Sequence, residues 1–175
     1  ARLYLPLGER SVLAARARLG AFIPLGETRD PPTVALFESG GANSMRGYGQ
    51  NRRSPMACVT RSVPDPGDST RTVQVCTNQW YPVGGNGLAE YSVELRFPLR
   101  GSLFGALFTD AGYVSGASAV PNAYRQAFVP ARLQWAGGLG IRYRTPVGPL
   151  RLDLAGRAPD DLSPGVDLNH RFPPV

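Results

Sequence analysis

Lysine is absent from the 175-residue chain, so all 19 of its basic side chains are arginines. Charged residues make up only 18% of the sequence. A net charge of +6 would suit a nucleic-acid partner, but the arginines are spread through strand-like segments and form no patch with stacking aromatic residues. This distribution argues against nucleic-acid binding.

The residues needed for covalent or metal chemistry are also scarce. His170 is the single histidine, which leaves no Ser-His-Asp arrangement and no metal-ligand spacing. There is no nucleophile elbow and no phosphate-binding loop, since the glycine-rich stretch GGLGIRY lies within a strand pattern. The sequence therefore predicts no catalytic residue, no metal and no cofactor, in a protein that is not an enzyme.

Long apolar runs and a signal peptide are missing as well. No run approaches the roughly 20 residues of a transmembrane helix. The first residues, ARLYLPLGERS, begin as though in the middle of a strand. We therefore expect the sequence to be a piece of a longer chain.

Glycine and proline, in contrast, are in excess, at 21 + 17 = 38 residues. This is well above ordinary usage. Because 42% of the residues are hydrophobic and follow regular patterns, the composition argues against disorder. It favours many short strands joined by turns.

Apolar and polar residues alternate in five segments, which predicts five clear strands. In one of them, the apolar Tyr91 and Leu95 alternate with Glu90, Ser92 and Glu94. A further strand end is expected at Arg2 to Leu5, and another strand near the C-terminus. The five segments are residues 11–26, 88–99, 102–114, 132–146 and 148–156.

The polar face of these strands separates two interpretations. A soluble β-sandwich also alternates, with its charges outside. A band of apolar side chains opposite a face of small and charged residues fits a membrane β-barrel better, and such barrels have at least eight strands. The chain is too short to close a barrel alone. The recurring charges are Glu94, Arg96, Arg142, Arg144, Arg151 and Asp153.

Residues 26–87 are expected to form one long loop, and a loop of that length in a compact domain usually has a function. Within it, Met45, Arg46, Gly47 and Tyr48 set a cation between an apolar and an aromatic side chain. Either this arginine is incidental, or the rest of the chain holds it.

Four stretches, at residues 37–51, 82–99, 108–114 and 137–155 along the chain, resemble the C-terminal barrel of the bacterial outer-membrane assembly factors typified by BamA and TamA. Arg46-Gly47-Tyr48 corresponds to that family's Arg-Gly-aromatic signature, although Met45 stands where Val or Ile is usual. The Phe-x-Asp-x-Gly motif stands at Phe108, Asp110 and Gly112. The second stretch contains SVELRFP (92–98), and the fourth is GGLGIRYRTPVGPLRLDLA (137–155).

The resemblance implies an all-β, antiparallel transmembrane β-barrel, of which this chain is the C-terminal portion. It would supply about five to seven of a probable 16 strands, with the long loop folded into the lumen. Arg46 would then dock on Glu94 and Asp110, the latter within the wall motif that also contains Phe108 and Gly112. The alternative is that Glu94 pairs with wall arginines (Arg96, Arg142 or Arg144) and Arg46 faces solvent.

The two cysteines, Cys58 and Cys76, lie on the part of the loop that the resemblance places outside the cell. A disulfide between them would suit an oxidising compartment. Two free thiols are the alternative.

The C-terminus departs from the family, whose last strand normally ends in an aromatic residue. GVDLNHRFPPV ends in two prolines, which a central ladder does not accommodate. The strand is therefore degenerate or lies beyond Val175. We expect residues 1–175 to be a partial barrel domain, without the N-terminal strands and periplasmic domains of the family.

The function implied by the resemblance is the assembly and insertion of β-barrel proteins in a bacterial outer membrane. The expected partners are unfolded outer-membrane protein clients, outer-membrane lipid, and assembly-complex lipoproteins or an inner-membrane partner. Two alternatives are a secretion pore that exports one partner protein and the barrel anchor of a fused lipid hydrolase.

Overall fold

A computed structural model describes residues 1–23, 32–116 and 123–158, which form eight β-strands and contain no α-helix. Short 3-10 turns lie at Thr33–Ala35, Ala123–Phe128 and Pro130–Arg132. Within these ranges, no helix has the length and apolar character needed to cross a membrane. The strands are β1 (Arg2–Leu7), β2 (Ser11–Ala21), β3 (Met56–Asp65), β4 (Asp68–Pro82), β5 (Gly85–Arg100), β6 (Leu103–Gly116), β7 (Gln134–Thr145) and β8 (Gly148–Arg157).

Six of the strands form one antiparallel sheet in the order β1-β2-β5-β6-β7-β8. Neighbours in the sheet are also neighbours in the chain, except that β2 pairs directly with β5. The chain therefore leaves the sheet after β2 and returns to it at β5, beside the strand that it left. The prediction of an all-β antiparallel fold is confirmed.

The five predicted strands correspond to β2, β5, β6, β7 and β8, and the strand end expected at Arg2 to Leu5 belongs to β1. Six strands in the sheet agree with the expected five to seven. The strand expected near the C-terminus lies outside the described residues.

The prediction of one continuous loop over residues 26–87 was wrong in part, because β3 and β4 form a separate antiparallel hairpin within it. In addition, β5 begins at Gly85, inside the segment assigned to the loop. Most side chains of β3 and β4 are exposed or half-buried. The hairpin therefore needs no apolar stripe, which is the pattern that revealed the other strands.

Apolar side chains cover one face of the six-stranded sheet, called here the outer face, and most of them are exposed. Trp135, Leu139 and Leu154, for example, expose 52%, 59% and 77% of their surface. A soluble sandwich buries such a face, whereas a lipid-facing sheet displays it. One row of directly opposed leucines crosses all six strands, formed by Leu5, Leu13, Leu95, Leu107, Leu139 and Leu154.

The opposite, inner face is polar and partly buried. In the β5–β6 ladder, Glu94 lies opposite Phe108, and two rows further along Glu90 lies opposite Gly112. Asp110 lies between them, opposite Ser92. Glu90, Glu94 and Asp110 expose 1%, 6% and 1% of their surface, although each carries a carboxylate. Such burial requires partners, since an unpaired buried charge is very costly.

Candidate functional site

Residues 38–54 are called here the docked loop. Backbone hydrogen bonds close its base, called here the stem, beside the start of β5. Phe37 and Gly85 exchange two backbone hydrogen bonds of 2.9 Å at the base. Above it, the amide of Arg53 donates to the carbonyl of Ser39 (3.0 Å), and the amide of Ser39 donates to Oγ of Ser54 (2.9 Å). These bonds hold the two ends of the loop together, so that its middle projects as one unit.

Two glycines allow the tight course of the docked loop. Gly40 and Gly41 have φ values of +110° and +101°, in the region that side chains with a Cβ rarely adopt. A Cβ on Gly40 would also lie 2.5 Å from the carbonyl oxygen of Gly49. The turn therefore requires glycine for both conformation and space.

Arg46, near the middle of the docked loop, binds Asp110 of β6 through three hydrogen-bond donors. Its Nε and Nη2 donate to the two carboxylate oxygens of Asp110, each over 2.8 Å, in a bidentate pair. Its backbone amide donates to Oδ2 of the same carboxylate (3.0 Å). Oγ of Ser92 donates to Oδ1 of Asp110 (2.6 Å), so the carboxylate is saturated.

The remaining surface of the Arg46 guanidinium is also occupied. Nη1 donates to Oε2 of Glu94 over 2.5 Å, and the planar group lies over the ring of Phe108, with Cζ 3.5 Å from the ring centroid. Burial works to lower the pKa of Arg46, but its hydrogen bonds to Asp110 and Glu94 outweigh burial and raise that pKa. The arginine is therefore held as a cation in a site that exposes 8% of it.

Glu94 also pairs with two arginines of the six-stranded sheet, called here the wall. It accepts hydrogen bonds from Nε of Arg96 (2.7 Å) and Nη2 of Arg142 (3.0 Å), in addition to the one from Arg46. Glu94 therefore pairs with wall arginines, as the alternative expected, but Arg46 is docked on the same carboxylate and does not face solvent. Arg142 continues the network to Oδ1 of Asp153 on β8 (2.5 Å). Arg144 has no ion pair with Glu94 and instead lies over the ring of Phe104.

Met45 and Gly112 explain why the wall motif ends in glycine. Met45 is fully buried, and a Cβ on Gly112 would lie 2.7 Å from its sulfur and 3.1 Å from the carbonyl oxygen of Ala89. The missing side chain of Gly112 therefore leaves the space that Met45 fills. Gly47 has a φ of +92°, and a Cβ on it would lie 3.3 Å from Cβ of Ala136. Tyr48 is half-buried, and the guanidinium of Arg53 lies over its ring.

Two wall arginines bind the backbone of the docked loop from different strands. Arg16 on β2 donates to the carbonyl oxygens of Asn43 (2.6 Å) and Ser44 (2.9 Å). Arg151 on β8 donates to the carbonyl oxygen of Ala42 (2.6 Å). Since Arg46 binds β5 and β6, the docked loop connects four strands of the sheet.

Several contact residues were not among the predicted site residues. Glu90 accepts hydrogen bonds from two serines of the docked loop, Ser39 and Ser44, and pairs with Arg18. Glu90 shares the parity of Glu94 on β5, so its inward orientation could have been found in the sequence. The serine hydroxyls carry no such signal, because serine is equally common in solvated loops.

The cysteines lie on the β3–β4 hairpin, away from the docked loop. Cys58 on β3 and Cys76 on β4 form a disulfide with a Cα–Cα distance of 5.6 Å. The ladder shifts register between Cys58 and Thr60, which places the two cysteines beside each other. The bond fastens the hairpin to itself and not to the sheet.

The chemistry available at this site is non-covalent binding. Across residues 1–23, 32–116 and 123–158, no group of His, Cys, Asp and Glu side chains could hold a metal ion. His170 lies outside these ranges. The carboxylates are already saturated by arginine and serine donors, so their arrangement fixes one segment of the chain against another.

Comparison with known proteins places the chain in a family. The Omp85 superfamily domain matches residues 1–163. The chain therefore belongs to the Omp85 superfamily. Its fold also agrees with the crystal structure of BamA from Haemophilus ducreyi lacking POTRA domains 1–3, with a TM-score of 0.63 and 21% identity over 89% of this chain and 30% of that one.

A plant protein is also similar in sequence. Outer envelope protein 80, chloroplastic, from Arabidopsis thaliana is 33% identical over 120 residues, which are 68% of this chain. The match covers 12% of the plant protein. This chain therefore spans about an eighth of the length of its curated relative and under a third of the solved BamA chain.

Proposed function

We propose that this chain is the C-terminal barrel portion of a protein that inserts β-barrel proteins into a bacterial outer membrane. Its partners are unfolded outer-membrane protein clients and outer-membrane lipid, together with assembly-complex lipoproteins or an inner-membrane partner. The docked loop serves this function as a non-covalent brace, without catalysis.

The observation that carries the proposal is the docking of Arg46 on Asp110 and Glu94 beneath an exposed apolar outer face. The outer face suits a lipid environment, as in membrane barrels generally. The buried ion pairs are geometrically demanding, and removing one partner of such a pair costs about 3–5 kcal/mol. A brace of this kind holds the wall in one arrangement while a different part of the protein changes its pairing.

Strand pairing supplies the mechanism. An open sheet edge presents unpaired N–H and C=O groups that another strand can join, and soluble proteins suppress such edges. An insertion factor exploits the same property, because a client strand gains backbone hydrogen bonds by adding to the edge. In this mechanism the first and last strands of the barrel meet at a weak lateral seam, where client strands are inserted. The docked loop keeps the rest of the wall rigid, so that opening is confined to this seam.

The first test is depletion of the full-length parent protein, followed by mass spectrometry of the outer membrane. A fall in nearly all barrel proteins is expected. Loss of one secreted protein with the barrels unchanged would indicate a secretion pore. Unchanged levels of every barrel and every secreted protein would overturn the proposal.

The second test asks whether docking matters for the activity. In the full-length protein, Arg46→Ala should lower the insertion of clients into vesicles, measured as protease-protected folded barrel. Arg144→Ala is the matched control, because this arginine lies on the same wall without binding the docked loop. Equal activity of the two variants would argue against the brace.

A further inference from the structure

We propose that Glu90 is a second positioning residue for the docked loop, acting on its stem through contacts separate from those of Arg46. This inference rests on the proposed role of the loop as a brace. It names a separate anchor, with its own partners, two rows away along the β5–β6 ladder.

The two carboxylate oxygens of Glu90 have different partners, one in the docked loop and the other on the neighbouring strand. Oε1 accepts hydrogen bonds from the hydroxyls of Ser39 (2.5 Å) and Ser44. Oε2 accepts from Nη1 of Arg18 (2.8 Å), the residue directly opposite on β2. One carboxylate thus joins the docked loop, β5 and β2.

Ser39 connects Glu90 to the stem. Its amide and carbonyl already bind Ser54 and Arg53, the residues that close the docked loop. When the hydroxyl of Ser39 also binds Glu90, the closed stem is fixed to the wall. Arg46, by contrast, fixes the middle of the loop to Asp110 and Glu94.

Ser44 couples the two anchors. Its hydroxyl accepts from the amide of Gly40 (3.0 Å) and also contacts Glu90, and its neighbour Met45 fills the space beside Gly112. Glu90 exposes 1% of its surface, so it depends on these donors for the hydrogen bonds that water would otherwise supply. Release of both the stem and Ser44 would leave Arg18 as the one remaining donor of these three.

The experiment uses trypsin cleavage between Arg52 and Arg53 of the full-length protein in detergent, with cleavage sites located by mass spectrometry. Arg52 is exposed beside the stem, so cleavage there reports stem opening. A maleimide reaction at Met45→Cys reports the middle of the loop, because position 45 is fully buried when the loop is docked. The melting temperature of the barrel, measured by heat-dependent gel migration, reports the wall.

Glu90→Gln should raise stem cleavage about tenfold, the effect of about 1.4 kcal/mol on an opening equilibrium. Ser39→Ala should do the same, and the double variant should add little, because both changes remove one contact. Arg18→Gln should act in the same direction, with Arg18→Lys restoring protection by keeping the charge beside Glu90. Glu9→Gln, in an exposed turn, should change nothing.

Three outcomes would overturn the inference. They are unchanged stem cleavage in Glu90→Gln, additive effects of Glu90→Gln and Ser39→Ala, and a fall in melting temperature that accounts for all the extra cleavage. The assay contains no client, so it separates this inference from the proposed function. A protein whose stem opens in Glu90→Gln but whose Arg46 variants insert clients normally would retain the anchor and lose the brace function.

Discussion

Arg46 and Phe108 lie face to face, with the guanidinium carbon 3.5 Å from the centre of the ring. The ring covers one face of a cation whose edge is taken by Asp110 and Glu94. Phe108→Leu should therefore weaken docking by about 1–2 kcal/mol, the range of a desolvated cation–π contact. Maleimide labelling at Met45→Cys, a position that is fully buried in the docked loop, should rise accordingly. Phe104→Leu, on the same strand but away from Arg46, is the control.

The bidentate pair distinguishes arginine from lysine at position 46. Lysine keeps the charge but cannot present two parallel donors to Asp110 and a third to Glu94. Arg46→Lys should therefore release the docked loop nearly as much as Arg46→Ala, where the expected cost is about 3–5 kcal/mol. Maleimide labelling at Met45→Cys, which is buried in the docked loop, measures the release. Full protection in Arg46→Lys would show that charge alone holds the loop.

Removing the glycine at the end of the wall motif should push Met45 out of its site. In Gly112→Ala the new Cβ would meet the sulfur of Met45 at 2.7 Å. We expect faster proteolysis of the docked loop, with partial recovery in the double variant Gly112→Ala/Met45→Ala, because the smaller side chain frees that space. Recovery should be incomplete, since the carbonyl of Ala89 remains 3.1 Å away. The same rate in both variants would contradict this account.

Loss of the disulfide should loosen the hairpin and leave the docked loop in place. A bond that closes a loop of this length contributes about 3 kcal/mol in the chain-entropy account, and Cys58 and Cys76 are 18 positions apart. The variant Cys58→Ser/Cys76→Ser should therefore be cleaved faster within residues 56–82. Maleimide labelling at Met45→Cys should stay unchanged. An increase there would mean that the hairpin supports the docked loop.

A charge on the outer face should destabilise the protein in membranes. Leu139 lies in the row of leucines and is exposed. Leu139→Arg should cost about 2–4 kcal/mol if that row lies near the bilayer midplane. Reversible unfolding from lipid vesicles measures the cost, with Leu139→Ile as the control. Equal stability of the two variants would contradict a lipid-facing row.

The sequence predicted the sheet well because its two faces meet different solvents. Alternation is strict where one face carries Leu95 or Leu139 and the other Glu94 or Arg142, and each of those strands was identified. The β3–β4 hairpin escaped notice because both of its faces are largely exposed, which imposes no alternation.

The site was only partly accessible to the same reasoning. Arg46, Glu94 and Asp110 were named from motifs, and the structure places these three side chains in contact. Their functional role remains a prediction. Glu90 could have been found from its parity, whereas contacts to the carbonyls of the docked loop, made by Arg16 and Arg151, depend on the path of the backbone and leave no mark in the sequence.

The span of the docked loop in the chain has a consequence for the order of folding. Arg16 precedes the loop, whereas Asp110 lies 64 residues after Arg46 and Arg151 lies 109 residues after Ala42. The segment from Ala42 to Arg46 therefore cannot complete its contacts until strands on both sides of it have paired, including β8. Docking of the loop is therefore a late event in folding. A docked loop indicates that the strands carrying Arg16, Asp110 and Arg151 have already paired.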